Sequence, residues 1–144
     1  MRPPFVELCA RSNFSFLEGA SHPEELVTRA RELGMPAVGI ADRDGIYGLV
    51  RAYREAKENG GRLISGAELT LAYSGVDAHV PAGAGFPHWL PGMPLRVILL
   101  LRTHAGYRNL CRLLTLSHQP YEKGVARLDL RHLAENSAGL ELVL

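Results

Sequence analysis

The chain has 144 residues, 47% of them apolar and 22% charged, and its 16 Lys and Arg against 15 Asp and Glu leave a net charge of +1. That length suits one domain or part of one, and the composition excludes a disordered, collagen-like or coiled-coil chain. Near-neutrality removes whole-molecule attraction to DNA or anionic membrane and leaves room only for a local patch.

Phe5 to Ala10, an apolar run after two prolines, predicts a first strand that exits through Arg11-Ser12-Asn13. Ser21-His22-Pro23-Glu24 matches a capping box with proline in the first turn, and Leu26, Ala30 and Leu33 recur at helical spacing before Gly34. Ala37 to Ala41 is apolar on both faces, as a buried parallel strand requires, and Asp42-Arg43-Asp44-Gly45 turns the chain. A second helix follows, with Ile46, Leu49, Val50 and Tyr53 as its apolar stripe and Asn59-Gly60-Gly61 as its stop. Arg62 to Tyr73 predicts one or two further strands, interrupted by Ser65-Gly66-Ala67-Glu68.

Ser74 to Pro94 is rich in proline and glycine around Phe86, His88 and Trp89 and keeps no periodicity, so it is expected to be a long loop or hairpin insertion. Leu95 to Leu101 is an apolar strand, and Thr103 caps a helix to about Ser117 on Tyr107, Leu110, Cys111 and Leu114. Leu128 to Ala134 predicts a short helix and Leu140 to Leu144 a last strand. Alternating strands and helices imply an α/β fold with mostly parallel strands and flanking helices. The few units present, and an apolar strand reaching Leu144, predict a truncated barrel. Its uncovered strand is expected to drive self-association through 140–144 or the 95–101 sheet face.

Cys9 and Cys111, far apart and without C-x-x-C spacing, suit free thiols in a reducing cytosol. No signal peptide opens the sequence, and no run approaches the ~20 apolar residues that span a bilayer, so a cytoplasmic protein without a membrane partner is expected. There is no Gly-rich phosphate loop, G-x-S-x-G elbow or H-E-x-x-H, and no catalytic residue is assigned. Arg102, Arg108 and Arg112, with Lys123 and Arg127, form either a solvated helix face or a basic face for nucleic acid, the first being favoured.

Phe5-Val6-Glu7-Leu8, Arg11-Ser12-Asn13-Phe14-Ser15-Phe16-Leu17, Gly19 to Val27 and Gly106 to Thr115 together resemble the polymerase and histidinol phosphatase (PHP) domain that opens bacterial C-family DNA polymerases, above all the error-prone paralogue. The resemblance covers nearly the whole chain apart from the 74–94 insertion. It implies that residues 1–144 are the N-terminal part of a single PHP domain with a partial β/α barrel. Active members bind metal ions through a His-x-His pair, which falls here on Cys9 and Arg11, and through ligands that fall on Glu18, Arg43 and Glu68. Cys9, Glu18 and Glu68 are therefore expected to be only a vestige of a metal site. Arg11, Arg43 and Asp42 are expected to fill it with charge, the arginines pairing with Glu18, Glu68 or Asp42.

Plainer roles stay open: Glu68 as an edge-strand surface acid, Asp42 and Asp44 as turn residues, Cys9 as a small buried hydrophobe. On this reading the chain is an inactive PHP fragment of an error-prone, damage-tolerant DNA polymerase with a scaffold role and no cofactor. Its partners would be the remaining polymerase domains, and DNA through the full-length protein. An independent metal-dependent phosphoesterase is the alternative. A non-enzymatic adaptor using the Phe86 to Trp89 insertion is another.

Overall fold

The structure, a computed structural model, describes residues 4–72 and 95–143. Its elements run β1 (Glu7–Ala10), α1 (Pro23–Glu32), β2 (Val38–Arg43), α2 (Leu49–Asn59), β3 (Leu63–Ala72), β4 (Arg96–Leu101), α3 (His104–His118), β5 (Leu128–Asp129), α4 (Leu130–Glu135) and β6 (Leu140–Val143). The strands lie in the order β1-β2-β3-β4-β6, with β5 pairing the end of β3. Together they make the curled half-barrel of an α/β fold. The β1–β2, β2–β3 and β3–β5 pairs are parallel, and β4 and β6 complete the sheet in antiparallel pairing. The proposed 74–94 insertion, its Phe86 and Trp89, and Leu144 lie outside the described residues. Among the described residues no helix is long and apolar enough to cross a membrane.

β3 is one unbroken strand, where the sequence left one or two open. Gly66, read as part of a break, is instead a point of close approach: a Cβ there would come within 2.5 Å of the Leu99 carbonyl oxygen. α1 begins one residue later than expected. His22 rather than Ser21 precedes the first turn, and the Glu25 carboxylate accepts from the His22 backbone N–H at 2.7 Å. Thr103 caps α3 as expected, its hydroxyl oxygen accepting from Gly106 N–H at 3.1 Å.

The α2 stripe needs correction. Ala52 and Ala56 are its buried residues, whereas Val50 and Tyr53 are 68% and 56% exposed. α1 packs closely on α2, and only small side chains fit between two helices that must also reach the sheet. Leu33 likewise lies exposed beyond the buried face of α1, which is formed by Pro23, Val27 and Ala30.

Alternation along the strands sorts the side chains. Val38 and Ile40 of β2 join Val27, Ala30, Ala52 and Ala56 in one apolar cluster. Ala67, Leu69 and Leu71 of β3 and Val97 and Leu99 of β4 join Leu110, Leu113 and Leu114 of α3 in a second. The intervening residues, among them Arg43, Glu68 and Arg96, therefore share the opposite, concave face.

Candidate functional site

β1, β2 and β3 are parallel, so their C-terminal ends lie at one edge of the sheet, where Arg11 follows β1, Arg43 ends β2 and Glu68 pairs in register with Arg43. β4 is antiparallel, so its first residue, Arg96, meets that same edge opposite Thr70. The loop after β1 folds back over it. Glu18 and Gly19 N–H groups donate to the Ser15 carbonyl at 2.9 and 3.0 Å, and a Cβ at Gly19 would collide with the Ser12 carbonyl. Only glycine lets the loop turn tightly enough to hang Glu18 over the mouth.

Three arginines and two glutamates meet there. Arg11 bonds Glu18 at 2.9 Å through one guanidinium nitrogen and Glu68 through the other. Arg43 bonds Glu18, and Arg96 lies 3.4 Å from both Glu18 and Glu68. All four carboxylate oxygens of Glu18 and Glu68 are thus engaged by arginine. The Glu68 side chain is 7% exposed and the three arginines about a third, so the cluster is half sheltered. Three cations against two anions leave an excess of one positive charge, and a guanidinium has no lone pair to offer a metal.

Asp42 does not join this cluster. Although adjacent in sequence to Arg43, it points to the other face of β2 and is 2% exposed. There it accepts from the Ser12 N–H, the Ser12 hydroxyl and the Ser15 hydroxyl, each at 2.7 Å. The expectation that it fills the site beside the arginines is therefore corrected. Asp44 is likewise more than a turn residue: its carboxylate accepts from Thr70 N–H at 2.8 Å and the Thr70 hydroxyl at 2.9 Å, binding the β2 exit to β3.

Cys9 and Cys111 are both free thiols. Cys9 has its pKa raised by burial first and then by the charges of Glu7 and Glu68, with Arg11 pulling the other way. Among the described residues no three His, Cys, Asp or Glu side chains are grouped to hold a metal ion. An open groove of about 540 Å³ lies elsewhere, between the Asp44 to Tyr47 turn and the Cys111, Leu114 and His118 side of α3, and none of the five clustered charges lines it.

Arg96 is the participant that the sequence reading missed. A lone arginine opening a strand otherwise made of Val, Ile and Leu was the available signal. With β4 assumed parallel, that residue would have been assigned to the far edge of the sheet.

The PHP domain profile matches residues 7–144. The chain belongs to the PHP domain family. It is 51% identical over 116 residues to an error-prone DNA polymerase of Anaeromyxobacter sp. (strain K), covering 81% of this chain and 9% of that protein. To the error-prone DNA polymerase of Ruegeria pomeroyi it is 39% identical over 158 aligned positions, 96% of this chain and 14% of the relative. The chain thus spans about a tenth of the length of these relatives, at their N-terminal end. In fold it is similar to an amidohydrolase from Chromobacterium violaceum, with a TM-score of 0.54 at 18% identity, over 79% of this chain and 33% of the other.

Proposed function

We propose that this PHP domain serves an error-prone DNA polymerase as a metal-free structural module, its mouth held by arginine in place of metal ions. The observation that carries this reading is the saturation of Glu18 and Glu68, the two acids the family resemblance assigns as ligands, by Arg11, Arg43 and Arg96. A divalent cation entering here would have to displace charge-assisted hydrogen bonds and sit among three guanidinium groups. The residues present therefore do not fit a metal cluster, and no cofactor or hydrolytic step is assigned to them. DNA synthesis belongs, on this reading, to the remaining domains of the full-length protein. Those domains are also the module's natural partners.

Metal retention tests the reading. The protein is exposed to zinc or manganese, dialysed and analysed for bound metal, and its melting temperature is followed as each ion is added. Well under one equivalent and an unmoved melting temperature are expected. Stoichiometric retention together with hydrolysis of a model phosphodiester would overturn the scaffold reading in favour of a phosphoesterase.

A further inference from the structure

Four exposed arginines among the described residues are met by an acid, the fourth being Arg102 with Glu141. On α1 and α2, Arg29 pairs with Glu32, Arg51 with Glu24, and Arg54 lies 3.8 Å from Glu58. α3 supplies no such acid of its own. From Thr103 to Tyr121 the sequence contains no Asp or Glu. His104, Arg108 and Arg112 follow one another at intervals of four, which stacks them in one stripe along the helix, and all three are exposed. Neither Arg108 nor Arg112 has an acidic partner among the described residues. Tyr107 stands beside the stripe, 41% exposed, with its ring centroid 6.4 Å from that of His104.

The orientation of the stripe is fixed by packing. Leu110, Leu113 and Leu114 are buried against β3 and β4, so Arg108 and Arg112 are held outward. Two arginines four apart repel, so helix stability does not account for the pair. The chain as a whole is nearly neutral, which makes this acid-free face a local feature rather than a reflection of overall charge. Its complement is a regular array of negative charge.

We propose that the outer face of α3 holds the phosphate backbone of DNA, with Arg108 and Arg112 each neutralising one phosphate and Tyr107 beside them. The choice of DNA among polyanions rests on the polymerase reading above; the cationic face itself does not. Such a contact is sequence-independent and sensitive to salt, because each neutralised phosphate releases counterions.

Anisotropy of a fluorescein-labelled DNA duplex, titrated with the protein at increasing NaCl, tests it. Two duplex phosphates give a slope of about 1.8 in log K against log salt, so affinity attributable to the pair falls about twelvefold between 50 and 200 mM. Arg108→Gln with Arg112→Gln should remove that share of the slope, and the Arg108→Lys, Arg112→Lys variant should keep it. Arg54→Gln with Lys57→Gln, the same charge change on α2, should leave binding as it was. Equal loss in the α2 variant, no binding even at 25 mM salt, or binding to heparin without binding to DNA would each overturn the proposal. Metal retention reads Cys9, Glu18 and Glu68 and does not depend on α3, so failure of either reading is visible separately.

Discussion

Ser12 donates twice to Asp42, its backbone N–H to Oδ1 and its hydroxyl to Oδ2, both at 2.7 Å. Ser15 completes the clamp: its hydroxyl donates to Oδ1 and accepts from the Arg43 N–H at 3.0 Å. The β1 exit loop is thereby fastened to the end of β2, which carries Glu18 to its place over the arginines. Ser12→Ala removes one buried donor and is expected to lower stability by about 1 to 3 kcal/mol. Asp42→Ala, which strands three donors at once, should cost more. Urea unfolding midpoints at unchanged slope are the measurement, and equal stability of the three proteins would show that the clamp is not structural.

The two glutamates of the charge cluster should differ in weight. Glu68 is nearly buried, while Glu18 has a side chain 19% exposed on a loop. A buried pair broken on one side loses about 3 to 5 kcal/mol and an exposed one under about 1. Because the arginines are a third exposed, Glu68→Gln is expected to fall between these limits, at about 1 to 3 kcal/mol, and Glu18→Gln near the lower limit. A double-mutant cycle on Arg11 and Glu68 should give a coupling above about 0.5 kcal/mol that shrinks in high salt.

Cys9 should be a sluggish thiol. Its raised pKa means less thiolate at any given pH, so iodoacetamide labelling in a Cys111→Ser background should lag behind free cysteine near pH 8 and climb only at higher pH. Arg11→Gln takes away the one cation that lowers the pKa and should move the labelling profile further up. A profile midpoint at or below that of free cysteine would contradict the assigned causes.

The two faces of α2 make opposite predictions. Tyr53→Ser, on the exposed side, should change stability by no more than about 0.5 kcal/mol. Ala52→Leu, at a site with 0% exposure against α1, should overpack it and lose about 1 to 3 kcal/mol. Thermal melts of both variants would reveal a reversed order if the sequence-based stripe were the true one.

How much was legible follows from what each signal encodes. Caps and stops read well because they are local: Thr103 begins α3, and Gly60 closes α2 with a left-handed φ of 79°. The stripe on α2 misled because hydrophobicity ranks Val50 and Tyr53 above Ala52, whereas close helix packing selects for size. Arg11, Arg43, Glu18 and Glu68 were named from the family resemblance before the structure brought them together. Arg96 and the Ser12–Asp42 clamp were not, since one depends on strand direction and the other on which face of β2 a residue takes. Strand alternation alone would have separated Asp42 from Arg43.

β3 has a consequence for how the molecule opens. Leu63, near its start, packs with the cluster under α1 and α2, and Ala67, Leu69 and Leu71 belong to the cluster under α3. The strand also has β2 on one side, β4 on the other and β5 at its end. Neither half of the protein can detach without breaking into this one segment, so the two clusters form a single cooperative unit rather than two that melt in turn. The amides of Ala67 to Leu71 should be the last to exchange with deuterated solvent, at rates set by global unfolding, while the α1 and α4 ends exchange through smaller openings.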